Sequence, residues 1–224
     1  MYTEVDSNTL TEEQRSNIVE SRWVLRPKQQ EVRARIVAKG YTEKISDNDL
    51  IYASTPLFCI LRILLTMALV NNWAVRTGDV SVAFLHAAAA ALNIIMRPPQ
   101  EFYDDNNRHI MWKLNKAIYG LRSSPKQWQD HIADVLTALG LTRLKTESNV
   151  YRNKAGTAYI MVYVDDLLFI GEQSEINILF DKIMKQVLLR PTGELTTGNT
   201  ITFLGRNITH KRRPHRHQPG GQLH

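Results

Sequence analysis

Cysteine is nearly absent: Cys59 is the only one in 224 residues, so the chain can form no internal disulfide and has no cysteine set for a zinc knuckle. A single thiol fits a reducing compartment. Cys59 lies in the apolar stretch Leu57 to Leu69 and is expected to be a small core residue. Long hydrophobic runs are missing too. The longest, around Ile60 to Val70, is broken by Arg62 and is too short to span a bilayer. The N-terminus is acidic and polar and lacks the basic-then-apolar order of a signal peptide. No internal repeat is present. These absences lead us to expect a soluble intracellular protein, cytoplasmic or nuclear, with no membrane partner.

What is present is enough apolar material for a core. Hydrophobic residues make up 43% of the chain, enough for one domain or two closely packed subdomains. Formal net charge is +6, which suggests a polyanionic partner. Part of that excess sits in a run from His210 to His217 that holds Lys211, Arg212, Arg213 and Arg216, so some of the basicity belongs to a tail and not to a groove.

Periodicity places the elements. Thr11 followed by Gln14 has the pattern of a capping box, so residues 1–20 read as a short helix or a polar lead-in. Arg22–Arg26 and Val32–Lys39 read as strands, with Pro27 and Lys28-Gln29-Gln30 as their turn. Residues 42–56 read as a loop and 57–71 as a buried helix. A strand follows from Trp73 to Val80, then a helix over the alanine run Ala87–Ala91. Ile94–Met96 and His109–Leu114 are short strand candidates. Pro125, Trp128, Ile132, Leu136 and Gly140 mark a helix with its start and stop. Ala158–Val164 and Leu167–Ile170 are the clearest strands. A helix over Glu175–Val187 and a last strand over Ile201–Ile208 complete the pattern.

Two acidic features stand out. Asp165 and Asp166 lie between two strongly apolar strands, where an unpaired charge is costly unless it is exposed at a bend or bound to a cation. Two readings stand: an ordinary polar hairpin turn, or a pair of carboxylates held for chemistry. Asp79 ends another strand, 86 residues earlier, where it reads either as a helix N-cap or as a third carboxylate for the same site. Carboxylates meeting from separate strands suit hard divalent cations with oxygen ligands. Two such ions about 4 Å apart can stabilise both oxygens of a phosphoryl transfer.

Five motifs in order now resemble one family. They are Arg33-Ala-Arg35 through Lys39-Gly40-Tyr41, Asp79-Val80 through Phe84-Leu85, Lys113 through Tyr119-Gly120-Leu121 to Trp128, Tyr163-Val164-Asp165-Asp166, and Phe203-Leu204-Gly205. Together they resemble the reverse transcriptase region of copia-type LTR retrotransposon polyproteins, over about Trp23 to Gly205. The resemblance implies an α+β fold, a fingers and palm arrangement in which an antiparallel palm sheet is backed by helices. It implies fingers over 21–72 and 92–128 and palm over 73–91 and 129–205, while the residues themselves read as a polar lead-in over 1–20 and a basic disordered tail over 206–224.

The resemblance also implies roles. Asp79, Asp165 and Asp166 would be catalytic and, with the Val80 carbonyl, would hold two Mg²⁺ ions, Mn²⁺ being possible. Arg33, Arg35 and Lys39 would bind the triphosphate; on residue pattern alone they are equally a solvated strand face. Phe84 would be a steric gate under the sugar or a core phenylalanine. Tyr119 and Gly120 would lie beside the templating base. Arg122 and Lys126 would contact template phosphates or be exposed helix charges, and Trp128 reads as core. Tyr163, Leu204 and Gly205 would grip the primer end. The expected partners are an RNA or DNA template with its primer, and dNTPs.

The chain departs from the family pattern after Leu85, where His86 and five alanines replace a more acidic stretch. The connecting, RNase H and integrase regions of the family polyprotein are expected to be missing, which makes the chain a fragment. A truncated, inactive remnant that only binds nucleic acid is therefore the alternative to a reverse transcriptase core. An intact element would place the enzyme in a virus-like particle.

Overall fold

The computed structural model describes residues 1–28, 31–44, 51–89, 93–103 and 106–211. In chain order the elements are β1 (Tyr2–Asp6), α1 (Glu12–Ser16), β2 (Ile18–Val19), β3 (Ser21–Lys28), β4 (Glu31–Ala38), α2 (Phe58–Asn71), β5 (Ala74–Val80), β6 (Ile95–Met96) and β7 (Ile110–Leu114). Then come α3 (Ser124–Ala138), β8 (Thr142–Arg143), β9 (Val150–Arg152), β10 (Ala158–Tyr163), β11 (Asp166–Gly171), α4 (Gln173–Met184), β12 (Leu189–Glu194), β13 (Thr200–Phe203) and β14 (Arg206–Thr209). Among the described residues, no helix is long and apolar enough to cross a membrane.

A six-stranded antiparallel sheet, ordered β12-β5-β11-β10-β9-β8, forms the centre. Its middle strands are apolar on both faces because both faces are covered. Along β11, Leu167 and Phe169 point to one cluster and Leu168 and Ile170 to the other, the period-2 alternation of a strand. The first cluster is closed by Trp128, Ile132 and Leu136 of α3 and by Ile176, Phe180 and Ile183 of α4. The second is closed by Leu61, Leu64 and Ala68 of α2 and by Ile201 and Phe203 of β13. Each buried Leu or Phe there contributes about 1.5–3 kcal/mol of transfer free energy. The α+β expectation of an antiparallel sheet backed by helices therefore holds.

A smaller sheet, β1-β7-β6-β2, and the separate β3–β4 hairpin pack through Val19, Ala38, Met96, Trp112, Ile118 and Leu121. The end of β4 is latched to the turn before α3: the Ala38 amide donates to the Tyr119 carbonyl at 2.9 Å.

Several expectations need correction. Residues 1–20 are more than a lead-in, because β1 pairs with β7 and β2 with β6. Tyr2 stacks on Trp112 at 4.2 Å and Leu10 is buried with Ile95 and Met111. The capping box at Thr11 and Gln14 is present as expected. Pro27 is inside β3 opposite Val32, which an edge strand tolerates; Gln29 and Gln30 lie outside the described residues. Ala87–Ala89 are not helical. The Ala89 amide donates to the Asn115 carbonyl and Ala87 accepts from Ala117, so packing against that neighbouring segment overrides alanine's helix propensity; Ala90 and Ala91 lie outside the described residues.

Cys59 is exposed, since α2 buries only the face that carries Leu61, Leu64 and Ala68. That face lies on the six-stranded sheet, so residues 58–71 pack with the chain after residue 73. The expected last strand is a hairpin, β13–β14, turning at Leu204-Gly205. The expected tail thus begins as strand β14, and residues 212–224 lie outside the described ones. Strand β12 went unexpected because Pro191 and Gly193 hide it; the ladder bulges between those two residues.

Candidate active site

Three carboxylates meet at one end of the central sheet. β5 and β11 pair in a register that sets Asp79 directly opposite Asp166. β10 and β11 form a hairpin closed by the pair Tyr163 and Asp166, so the two-residue bend is Val164-Asp165. Asp165 thus sits at the bend, while Asp166 is the first residue of the returning strand. The Asp165 carbonyl accepts from the Val80 amide at 2.7 Å, which ties the bend to the strand that carries Asp79. Val164 has φ of +50°, a left-handed conformation that is unfavourable for a β-branched residue. Its carbonyl accepts from the indole Nε1 of Trp128 at 2.5 Å.

Like charges directly opposite on neighbouring strands are destabilising, and the electrostatics reflect it. Burial, then the charges of Asp165 and Asp79, push the Asp166 carboxyl up to about 6. Burial and Asp165 also raise Asp79, while Arg190 lowers it. Arg190 stands opposite Asp79 on β12. Nothing in the sequence pattern pointed to Arg190, because its strand was concealed.

The donors Asp79, Asp165 and Asp166 are hard oxygens that suit Mg²⁺ or Mn²⁺. Among the described residues no group of three or more His, Cys, Asp or Glu side chains is placed to hold a metal ion, so Asp79, Asp165 and Asp166 are not drawn into a cage in this structure. A divalent ion would relieve the mutual repulsion that raises Asp166.

A basic surface lies near this acidic end, on the other side of Tyr119. Cross-strand pairs share a face, and β3–β4 pairs Arg22 with Val37, Val24 with Arg35, and Arg26 with Arg33. Four arginines therefore line one face of the hairpin. A cavity of about 580 Å³ is bounded by Arg22, Arg26, Arg35, Lys39, Tyr119 and Gly120, among others. Arg33 lies farther out, in a second hollow with Arg26 and Arg35. Arg22 and Arg26 were missed by sequence reasoning, although their spacing of four on a strand already put them on one face.

Tyr119 joins the two patches. The Arg35 guanidinium lies 5.3 Å from its ring centroid, and Phe84 packs against it at 4.8 Å. Burial and then Asp165 raise the Tyr119 hydroxyl, Arg35 lowers it, and Asp79 adds a further upward push. Phe84 is half-buried against the α3–α4 side of the core, so it is both a packing residue and part of this surface. Gly120 has φ of +94°, and a Cβ there would lie 2.1 Å from the Ala38 carbonyl oxygen. Only glycine permits that approach.

The remaining expected residues are less central. The Arg122 side chain is exposed, and its amide donates to the buried Glu43 carboxylate at 2.5 Å. Lys126 is ion-paired with Asp130 one turn along α3, as an ordinary helix charge would be. Tyr163 and Leu204 pack in the same apolar cluster on the α2 side of the sheet, with Leu204 and Gly205 both at positive φ in the β13–β14 turn.

Comparison with known proteins matches residues 8–213 to a family described as reverse transcriptase (RNA-dependent DNA polymerase). The chain is 31% identical over 166 residues to the retrovirus-related Pol polyprotein from transposon RE1 of Arabidopsis thaliana, covering 69% of this chain and 11% of that protein. It is 32% identical over 146 residues to the Pol polyprotein from transposon TNT 1-94 of Nicotiana tabacum, covering 62% of this chain and 11% of that protein. The chain thus spans about a tenth of the length of these curated relatives. A solved foamy viral protease-reverse transcriptase in complex with double-stranded DNA aligns with 85% of this chain and 29% of its own, at 17% identity and a TM-score of 0.44.

Proposed function

Because the chain belongs to the reverse transcriptase (RNA-dependent DNA polymerase) family, as part of a copia-type retrotransposon polyprotein, we propose that it adds deoxynucleotides to a primer 3′-hydroxyl on a nucleic-acid template. The observation that carries this reading is the register of β5 against β11. It gathers Asp79 and Asp166 with Asp165 at the bend, close enough to Tyr119, a wall of the basic cavity, for their charges to act on its hydroxyl.

In the reaction the 3′-hydroxyl oxygen loses its proton to solvent and bonds to the α-phosphorus, and the bond to the bridging oxygen breaks to release pyrophosphate. Two divalent ions, Mg²⁺ or Mn²⁺, would supply charge neutralisation at the attacking and leaving oxygens. Asp79, Asp165 and Asp166, with the Val80 carbonyl, would hold them. Arg35 and Lys39 bind the triphosphate from the hairpin side, and Arg33, with its neighbours Arg22 and Arg26, extends that surface. Phe84, braced by Tyr119, sits beneath the sugar and excludes a 2′-hydroxyl. Tyr119 and Gly120 lie next to the templating base. Tyr163, Leu204 and Gly205 support the primer end, and Arg122 contributes charge toward the template. Lys126, already paired, adds little. The catalytic effect is positioning together with electrostatic stabilisation.

Primer extension with Mg²⁺ or Mn²⁺ tests this. The wild type incorporates dNTPs as the template directs, and Asp165→Asn loses at least about 100-fold in rate. In the same assay Phe84→Ala accepts ribonucleotides. Template binding without incorporation, indifferent to Asp165→Asn, would instead identify an inactive remnant.

A further inference from the structure

Asp165 lies between two peptide groups, and each is held from outside the hairpin. The Val164 carbonyl belongs to the same planar unit as the Asp165 amide, and it accepts from Trp128 Nε1 at 2.5 Å. The Asp165 carbonyl accepts from the Val80 amide at 2.7 Å. Rotation of either plane would carry the carboxylate away from Asp79 and Asp166. The bend does not hold itself, because Val164 occupies a left-handed conformation that a β-branched residue leaves when its surroundings allow.

Trp128 is well placed to hold it. The side chain is fully buried beside Ile132 and Leu136, so its indole has one orientation. The next residue, Gln129, donates to Ser54 Oγ at 2.7 Å and to Asn149 Oδ1 at 2.9 Å. The Asn149 carbonyl in turn accepts from the Val162 amide of β10 at 2.8 Å. Helix α3 is therefore fastened to the catalytic hairpin at residue 162 through Asn149 and at residue 164 directly.

We propose that Trp128 is a positioning residue for nucleotidyl transfer: its indole N–H fixes the Val164–Asp165 peptide and so sets where the Asp165 carboxylate points. The proposal rests on the polymerase reading. Trp128 acts through its hydrogen bond to the Val164 carbonyl and not on the reacting atoms. Another aromatic ring can fill its space, but only an N–H can hold the carbonyl.

The test pairs Trp128→Phe, which keeps a ring and removes the donor, with Val164→Asn, which accepts the left-handed conformation more readily. Trp128→Phe is expected to lower kcat for primer extension roughly 10- to 100-fold, with the dNTP KM within about twofold, and to weaken Mn²⁺ binding read by electron paramagnetic resonance. Adding Val164→Asn to that variant restores most of both losses, and thermal melting confirms that the compared proteins are folded. Trp128→Phe with wild-type kcat and Mn²⁺ affinity would overturn the proposal. A loss that Val164→Asn leaves untouched would also overturn it, since the tryptophan would then serve packing alone. If the wild type fails to extend primers, the polymerase reading fails, and the Mn²⁺ comparison still decides the role of Trp128.

Discussion

Asp166 faces Asp79 across a strand pair with no covalent need to be there, and the cost of that arrangement depends on pH. The folded chain holds the Asp166 proton up to about pH 6, whereas the unfolded chain releases it near the model-peptide value of about 4. Between these limits the native state binds more protons, so the stability of the metal-free protein falls as pH rises through that window. Asp166 is partly exposed, which screens the effect to about 1 kcal/mol. Asp166→Asn should remove it. Urea unfolding at pH 4 and pH 7.5 is expected to show the variant gaining about 1 kcal/mol over the wild type at the higher pH only. An equal difference at both pH values would contradict the coupling. At this scale the sequence displayed the doublet plainly, because two acids between apolar strands have few explanations. Which of the two occupies the bend was not legible: it depends on the left-handed Val164, held by an indole 36 residues earlier in the chain.

Elements with clean alternation or helical spacing were legible: β5, β10, β11 and α3 fall within a few residues of where the pattern puts them. Those set by tertiary contact were not. Ala87–Ala89 became paired backbone instead of helix, β12 was hidden by Pro191 and Gly193, and the final strand folded over at Leu204-Gly205, where only the glycine hints at a turn. The latch between β4 and the Tyr119–Gly120 turn belongs to this level as well. A Cβ at Gly40 would lie 2.0 Å from the Gly120 carbonyl oxygen, and a Cβ at Gly120 would lie 2.1 Å from that of Ala38. Gly120→Ala therefore combines a clash with an unfavourable φ and is expected to cost about 2–4 kcal/mol in chemical denaturation. A loss below about 0.5 kcal/mol would mean that the two segments are not locked together.

Over the whole molecule, an acidic surface and a basic surface lie near each other, joined at Tyr119. Asp79, Asp165 and Asp166 gather at one end of the central sheet, and Arg22, Arg26, Arg35 and Lys39 line the cavity of the hairpin, with Tyr119 feeling the charges of Asp165, Asp79 and Arg35. Each surface repels itself, and a triphosphate with divalent cations satisfies both at once. The fold class could be read from the chain because the strand and helix patterns are strong. The nearness of the two surfaces could not, because it depends on how the hairpin is latched to the turn before α3. The most direct measurement is the number of Mn²⁺ ions bound per chain, counted by electron paramagnetic resonance with a dNTP and a dideoxy-terminated primer on its template. About two ions are predicted for the wild type and fewer than one for Asp79→Asn. The same count in both proteins would contradict the claim that these carboxylates form one metal-binding site.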